Sequence, residues 1–350
     1  MRSNNLVSRT SSRQVSLALP LLAAMLASLW LACATPADPT SSARFVRLDP
    51  RFDRLVPPDA KVERIADGFT WVEGPVWDRR GGYLLFSDIP ANAVYKWKEG
   101  EGVSLFLKPS GYTGAAPFAG REPGSNGLAL DLQGRLVLAQ HGDRRIARLE
   151  PDGRRTVLAD RFDGKRLNSP NDLVVKSDGA LYFTDPPFGL PQAFDDPDKE
   201  LGFQGVYRLA PDGTLTLLTR ELKAPNGIAF SPDEKILYVT DVHPDQAAWY
   251  AFDVLPDGTL ANRRVFYDAR PWKHPPFFGP DGLKVDREGN LFAARPGGLN
   301  VFVPDGTLLG TIETGGPTSN CAWGDDGATL YLTGGSNLYR LRLGTRGAGF

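Results

Sequence analysis

The sequence is poor in sulfur and has no surplus of either charge. Its 350 residues include two cysteines, and only Cys321 lies beyond the apolar stretch near the start. A single cysteine makes no internal disulfide, so the folded domain has to hold together by packing. Lysine and arginine total 40 against 41 aspartates and glutamates, a formal net charge of −1. With no basic excess to neutralise phosphates, nucleic acid is not an expected partner. No Gly-x-Ser-x-Gly elbow, His-Glu-x-x-His pair or glycine-rich phosphate loop occurs, so serine-nucleophile hydrolysis, zinc-peptidase chemistry and phosphate-loop binding have no motif to rest on. Methionine is scarce (two), while glycine (38) and proline (29) are abundant, which suits short strands joined by tight turns better than long helices.

The first stretch stands apart. Residues 1–15 carry Arg2, Arg9 and Arg13 and no acid, and an apolar run from Val15 to Ala32 is broken only by Ser16, Pro20 and Ser28. A basic start, an apolar core and a small-residue exit describe a secretory signal over residues 1–33; a retained membrane anchor is the competing reading of a run of about 18 residues. Trp30-Leu31-Ala32-Cys33 approximates a lipoprotein box that would place a lipid anchor at Cys33, whereas Ala32-Cys33-Ala34 fits ordinary signal cleavage. Either exit implies an exported, periplasmic protein. Residues 34–50 read as a flexible tether, rich at first in Pro, Ser, Thr and Ala, and residues 51–350 as the folded domain.

Within that domain one pattern recurs six times: a polar residue, an apolar strand, a turn and a second strand. The polar residues are Glu73, Asn126, Asn171, Asn226, Asp281 and Asn320, spaced by 53, 45, 55, 55 and 39 residues. Such a period is that of four-stranded propeller blades. Pro-Asp-Gly at 151–153, 211–213, 256–258 and 304–306 marks hairpin turns, because proline presets the turn and glycine supplies positive φ. The last repeat has room for three strands, and the alternation near Ala60–Ile65 has no blade of its own. The expected fold is therefore all-β, a six-bladed β-propeller whose N-terminal strand closes the last blade and so removes an open edge.

In such a ring the innermost strand of each blade starts at the channel mouth, which gathers the six polar residues round the axis. All six are oxygen donors, a set that suits Ca²⁺, Mg²⁺ or Mn²⁺ better than Zn²⁺. An asparagine before glycine is also a common turn residue, but glutamate has no such preference and Glu73 heads the same repeat. Cys321, in an apolar strand, reads as a core residue.

The segments Val72-Glu73-Gly74-Pro75, Ser169-Pro170-Asn171-Asp172-Leu173, Ala224-Pro225-Asn226-Gly227-Ile228 and Gly279-Pro280-Asp281-Gly282-Leu283 resemble the metal-binding loops of the senescence marker protein/gluconolactonase (regucalcin-like) family, in order and at blade spacing. The resemblance implies one catalytic divalent cation, Ca²⁺ first with Zn²⁺, Mn²⁺ and Mg²⁺ as alternatives, held by Glu73, Asn171, Asn226 and Asp281. It implies hydrolysis of a small-molecule lactone, with Asp281 as the base that activates water. Phosphotriester hydrolysis is a neighbouring activity on the same propeller, and a non-catalytic binding propeller is the alternative of another class. Asn126 and His141 are candidates for substrate contact, and Asp172, next to Asn171, for orienting the ligands. His274 precedes an apolar loop that could wall the mouth. Asp185 and Asp241, at repeated strand ends, read as structural hydrogen-bonders.

Overall fold

The computed structural model describes residues 43–272 and 278–350; the signal segment, Cys33 and His274 lie outside them. Six antiparallel sheets follow one another along the chain. Their inner strands are Val72–Asp78, Ser125–Leu130, Leu173–Val175, Pro225–Phe230, Leu283–Val285 and Asn320–Gly324. Each of the first four blades adds three strands in simple up-and-down order, as in blade four with Ile236–Asp241, Ala248–Val254 and Leu260–Asp268.

The Pro-Asp-Gly turns fall between third and fourth strands as expected. Gly153, Gly213, Gly258 and Gly306 have φ of 84°, 88°, 81° and 89°. The aspartate of each turn accepts the backbone N–H two residues on, at 3.0 Å for Asp152, 2.9 Å for Asp212 and Asp257, and 2.8 Å for Asp305. The side chain thus closes the turn that the glycine permits.

A blade is covered on both faces, so its strands read as apolar runs and successive side chains point to opposite neighbours. Tyr182 packs with Phe230 and Val239 of blade four, while Phe183, the next residue, packs with Val137 and Ala139 of blade two. Every blade-to-blade face has its own apolar cluster in this way. The core is therefore a set of wedges round the ring, and the axis is left to polar residues. Burying a large apolar side chain in such a wedge contributes about 1.5–3 kcal/mol.

The ring closes as the sequence suggests. Glu63–Ala66 pairs antiparallel with Asn337–Arg342 and becomes the outer strand of blade six. Trp77 of blade one stacks on Tyr331 of blade six with ring centroids 5.3 Å apart. One expectation needs correcting. Arg44–Arg47, inside the stretch read as a tether, pairs with Leu308–Glu313 and makes blade five a five-stranded sheet. Just after it, Phe52 and Leu55 of the short helix Phe52–Leu55 are buried between blades five and six. The folded domain thus begins before residue 51. Cys321 is buried as expected, and burial pushes its thiol up to about 12.

Candidate active site

The second strand of a blade positions the residue at the head of its inner strand. In blades one, three and four it ends in a hydroxyl residue followed by aspartate: Ser87-Asp88, Thr184-Asp185 and Thr240-Asp241. The aspartate accepts backbone N–H groups from the segment that leads into the inner strand. Asp88 takes those of Thr70 and Trp71 at 3.0 and 3.1 Å. Asp185 takes that of Asn168 at 2.8 Å, and Asp241 those of Lys223, Ala224 and His243 at 2.7, 3.0 and 2.9 Å. Thr184 Oγ1 donates to the Asn226 carbonyl of the next blade at 2.7 Å, and Gly227 N donates to Thr240 Oγ1 at 2.6 Å. The entry loops that carry Glu73, Asn171 and Asn226 are therefore fixed from behind.

Round the axis, neighbouring heads touch. Gly74 has a φ of 54°, and a methyl there would strike the Asn126 carbonyl. A methyl on Gly127 would meet Asn171 O at 2.7 Å, where Gly127 N donates to that same carbonyl at 2.7 Å. Gly227 meets Asp281 and Gly282 meets Asn320 alike, and Ser319 Oγ closes the circle by donating to Val72 O at 2.8 Å. Of these glycines only Gly74 has positive φ. They follow the ring residues because the next blade is too close for a side chain, so the asparagine-before-glycine pattern is here a packing requirement and not a turn.

The charges at this mouth are not balanced by protein. Glu73 and Asp172 are buried, at 4% and 3% exposure. Asp281 sits deep in protein yet, with Asn226, keeps part of its surface accessible. Burial pushes Glu73 up to about 8, with Asp172 and Glu122 adding like-charge repulsion against the hydrogen bonds from Gly74 N and Asn320. Asp281 is raised well above the ordinary range by burial and then by Glu73 and Asp172, while Asn226 hydrogen-bonds it. Neither Glu73, Asp172 nor Asp281 has an ion-pair partner among the described residues. Carboxylates so placed call for protons or a cation.

Among the described residues no group of three or more His, Cys, Asp and Glu forms a metal cluster by itself. The oxygen set under consideration is of another kind, two carboxylates (Glu73, Asp281) with two amides (Asn171, Asn226). The hydrogen bond to Asp281 uses the Asn226 amide N–H and leaves its oxygen available.

Asn320 differs. Its Oδ1 accepts Cys321 N at 2.9 Å and Lys284 Nζ at 3.4 Å, and its Nδ2 donates to Asp172 Oδ2 at 3.3 Å. With its oxygen committed, it bridges the acids instead of joining the donors. Asp172 lies beneath the ring, held also by Leu173 N at 2.8 Å. Asn126 is a ring member, buried at 6%. His141 is wholly buried, with Nδ1 2.8 Å from Glu122 Oε2. Glu122 and Lys284 were not legible as site residues: the first lies in an unpatterned loop, the second on a strand face whose partner is a different blade. Asp88 carried a signal, as the blade-one counterpart of Asp185 and Asp241.

The family model for the SMP-30/gluconolactonase/LRE-like region matches residues 71–336, from the loop before Glu73 through the second strand of blade six. The chain belongs to this family. Its relatives include a gluconolactonase of Zymomonas mobilis subsp. mobilis, 42% identical over 311 residues and 87% of either chain. Regucalcin of Bos taurus is 30% identical over 75% of this chain and 82% of its own. Among solved structures, a gluconolactonase of Xanthomonas campestris superposes with a TM-score of 0.75 at 38% identity, over 88% of this chain and 97% of that one. The family membership agrees with the loops quoted for the resemblance, and the six-bladed architecture is that of the superposed structure's kind.

Proposed function

We propose that this protein is a divalent-metal-dependent lactonase acting on a sugar lactone of the gluconolactone type. The relatives named gluconolactonase support the reaction class. The observation that carries the metal dependence is the gathering of buried Glu73, Asp172 and Asp281, in which burial and then like-charge repulsion raise the proton affinity of Glu73 and Asp281 and neither is paired to a cationic side chain among the described residues. Glu73, Asn171, Asn226 and Asp281 are the residues that would hold the ion, and hard oxygen donors favour Ca²⁺, with Mg²⁺, Mn²⁺ and Zn²⁺ as alternatives. A bound cation supplies Lewis-acid polarisation of the lactone carbonyl and returns the two acids to their ionised form.

The chain's own groups supply the rest. Asp281, partly open to the channel, takes a proton from the attacking water as the carbonyl carbon becomes tetrahedral. The Asn226 amide hydrogen-bonds that carboxylate and sets its direction. Collapse of the tetrahedral carbon breaks the ring C–O bond, and the proton that Asp281 took from the water passes to the ring oxygen, which leaves as a hydroxyl and restores the carboxylate. Asn320 donates to Asp172 Oδ2 at 3.3 Å and so links the heads of blades six and three across the axis. The exported location and acylation of Cys33 belong to the same reading of the N-terminal segment, and mass spectrometry of the mature N-terminus tests both. The central test is turnover of a sugar lactone, an aromatic lactone and a phosphotriester, with EDTA and then each cation restored. Sugar-lactone hydrolysis lost to EDTA and regained with one cation is expected; hydrolysis untouched by EDTA would refute the metal dependence, and retention of metal without any turnover would favour a binding propeller.

A further inference from the structure

Above the ring, blades one and two carry a second acid that the reaction just described leaves unused. Glu122 stands on the loop before the inner strand of blade two, and that loop is firmly seated. Tyr112 N donates to Pro123 O at 2.5 Å, Gly124 N to Ile89 O at 3.0 Å and His141 N to Gly124 O at 3.1 Å. The Tyr112 ring packs on Phe118 at 5.1 Å between centroids. Glu122 therefore has a rigid base only two residues from Gly124 and four from the ring residue Asn126, and its charge is felt at Glu73.

Its carboxylate is held at one end. Glu122 Oε2 lies 2.8 Å from His141 Nδ1, off the line of an ideal hydrogen bond, while its side chain stays 34% exposed. Oε1 has no partner among the described residues. His141 beneath it is fully buried, and a methyl on Gly189 would already press on its Cβ at 2.5 Å. Neither ring nitrogen makes a hydrogen bond of good geometry among the described residues, so the Nδ1–Oε2 approach is the ring's one polar contact there. The Nδ1 edge of the ring is the one that faces the Glu122 carboxylate. Glu122 is then an anchored carboxylate with one oxygen turned to solvent at the mouth, and an ionised carboxylate only accepts.

What complements a lone acceptor is a donor on the ligand. A lactone's carbonyl and ring oxygens are acceptors, but the hydroxyls of a sugar lactone are donors. We infer that Glu122 recognises substrate hydroxyl groups, with His141 as the positioning residue that fixes its carboxylate. The inference rests on the lactonase reading for its substrate class. A site built to bind a hydroxyl discriminates strongly against a ligand that lacks it, because the protein group is left without its partner.

The test compares kcat/KM for gluconolactone with that for unsubstituted δ-valerolactone. Glu122→Ala should lower the gluconolactone-to-valerolactone ratio by about 10- to 100-fold, the worth of one hydrogen bond to a charged group. His141→Phe should lower the ratio by a smaller factor, and His141→Asn, which keeps an N–H near the Nδ1 position, should restore part of it. A ratio that moves less than about threefold in Glu122→Ala, or an equal loss on both lactones, would overturn the inference. Glu122 is partly exposed, so its variants test the idea even where a His141 variant fails to fold. A second arm does not depend on turnover: calorimetric binding of gluconate against hexanoate. Gluconate should be preferred by wild type, and Glu122→Ala should lose that preference. If wild type hydrolyses neither lactone but shows the Glu122-dependent preference, the lactonase reading fails and the hydroxyl site stands; if the preference is absent, the hydroxyl site falls.

Discussion

Two sets of buried carboxylates lie within one blade's depth of each other and behave oppositely. At the strand ends, Asp88, Asp185 and Asp241 each stand alone in a blade and face backbone N–H groups. Round the axis, Glu73, Asp172 and Asp281 face one another. Burial raises the proton affinity of Asp185 and Asp241 as it does that of Glu73 and Asp281, but only at the axial pair does like-charge repulsion add to it. The strand-end acids are held by backbone donors of the fold; the axial ones are left in need of something the fold does not provide. Burial alone does not mark a functional acid. The identity of what faces it does.

The contrast can be broken most forcefully at Asp281. Replacing it with asparagine should cost lactone turnover about 10³-fold or more, through loss of the base and of a cation ligand, while circular dichroism stays native and the metal-free protein melts no lower than wild type. A drop in the metal-free melting temperature would mean that Asp281 is held by the fold as the strand-end acids are. Next in size is Asp241→Ala, which strips the acceptor from three backbone N–H groups. Urea denaturation should show a loss of about 2–4 kcal/mol, and an unchanged midpoint would remove the structural role assigned to this set.

The cation should stabilise only through the axial set. At about a hundred times its dissociation constant Ca²⁺ should add about 2.7 kcal/mol in the same denaturation experiment, and Glu73→Gln or Asp281→Asn should lose most of that gain. Equal stabilisation in the variants would place the ion elsewhere. The smallest effect concerns pH. Asp185 is pushed up to about 7 by burial, against the pull of Asn168 and Ser169 N–H and Arg144, and its Oδ1 has no hydrogen-bond partner among the described residues. A folded-state value above the ordinary one near 3.8 means that the folded protein binds more protons between those limits. Stability from this group is therefore full below about pH 4 and lost as pH rises towards 7. Denaturation midpoints across that range should fall less steeply in Asp185→Asn than in wild type, and parallel slopes would refute the assignment.

The blades were legible because their signals are local and repeated. An Asn or Asp before Gly heads three inner strands, and Pro-Asp-Gly turns four outer hairpins, so each repeat corroborates the next. The strand Arg44–Arg47 escaped notice because it is four residues long, with arginine at both ends, and is recognised only by the edge it covers. The ring itself could be listed from the sequence, but its members could not be ranked. Asn320 reads like Asn226 until Lys284, from another blade, takes up its oxygen. Glu122 matters through His141, 19 positions later, and no spacing rule joins a loop to the end of the next strand.

The closing strand has a temporal consequence. Glu63–Ala66 leaves the ribosome among the first folded segments, yet its partner Asn337–Arg342 is made among the last. Arg44–Arg47 waits almost as long for Leu308–Glu313. Contacts between such distant segments are slow to form, since loop closure precedes any gain. Early blades can assemble on their neighbours while the chain is still growing, but the ring cannot be sealed until Asn337–Arg342 has been made. Until the late partners are made, Arg44–Arg47 and Glu63–Ala66 remain unpaired edges, and any factor that shields them would act on a ring missing only its clasp.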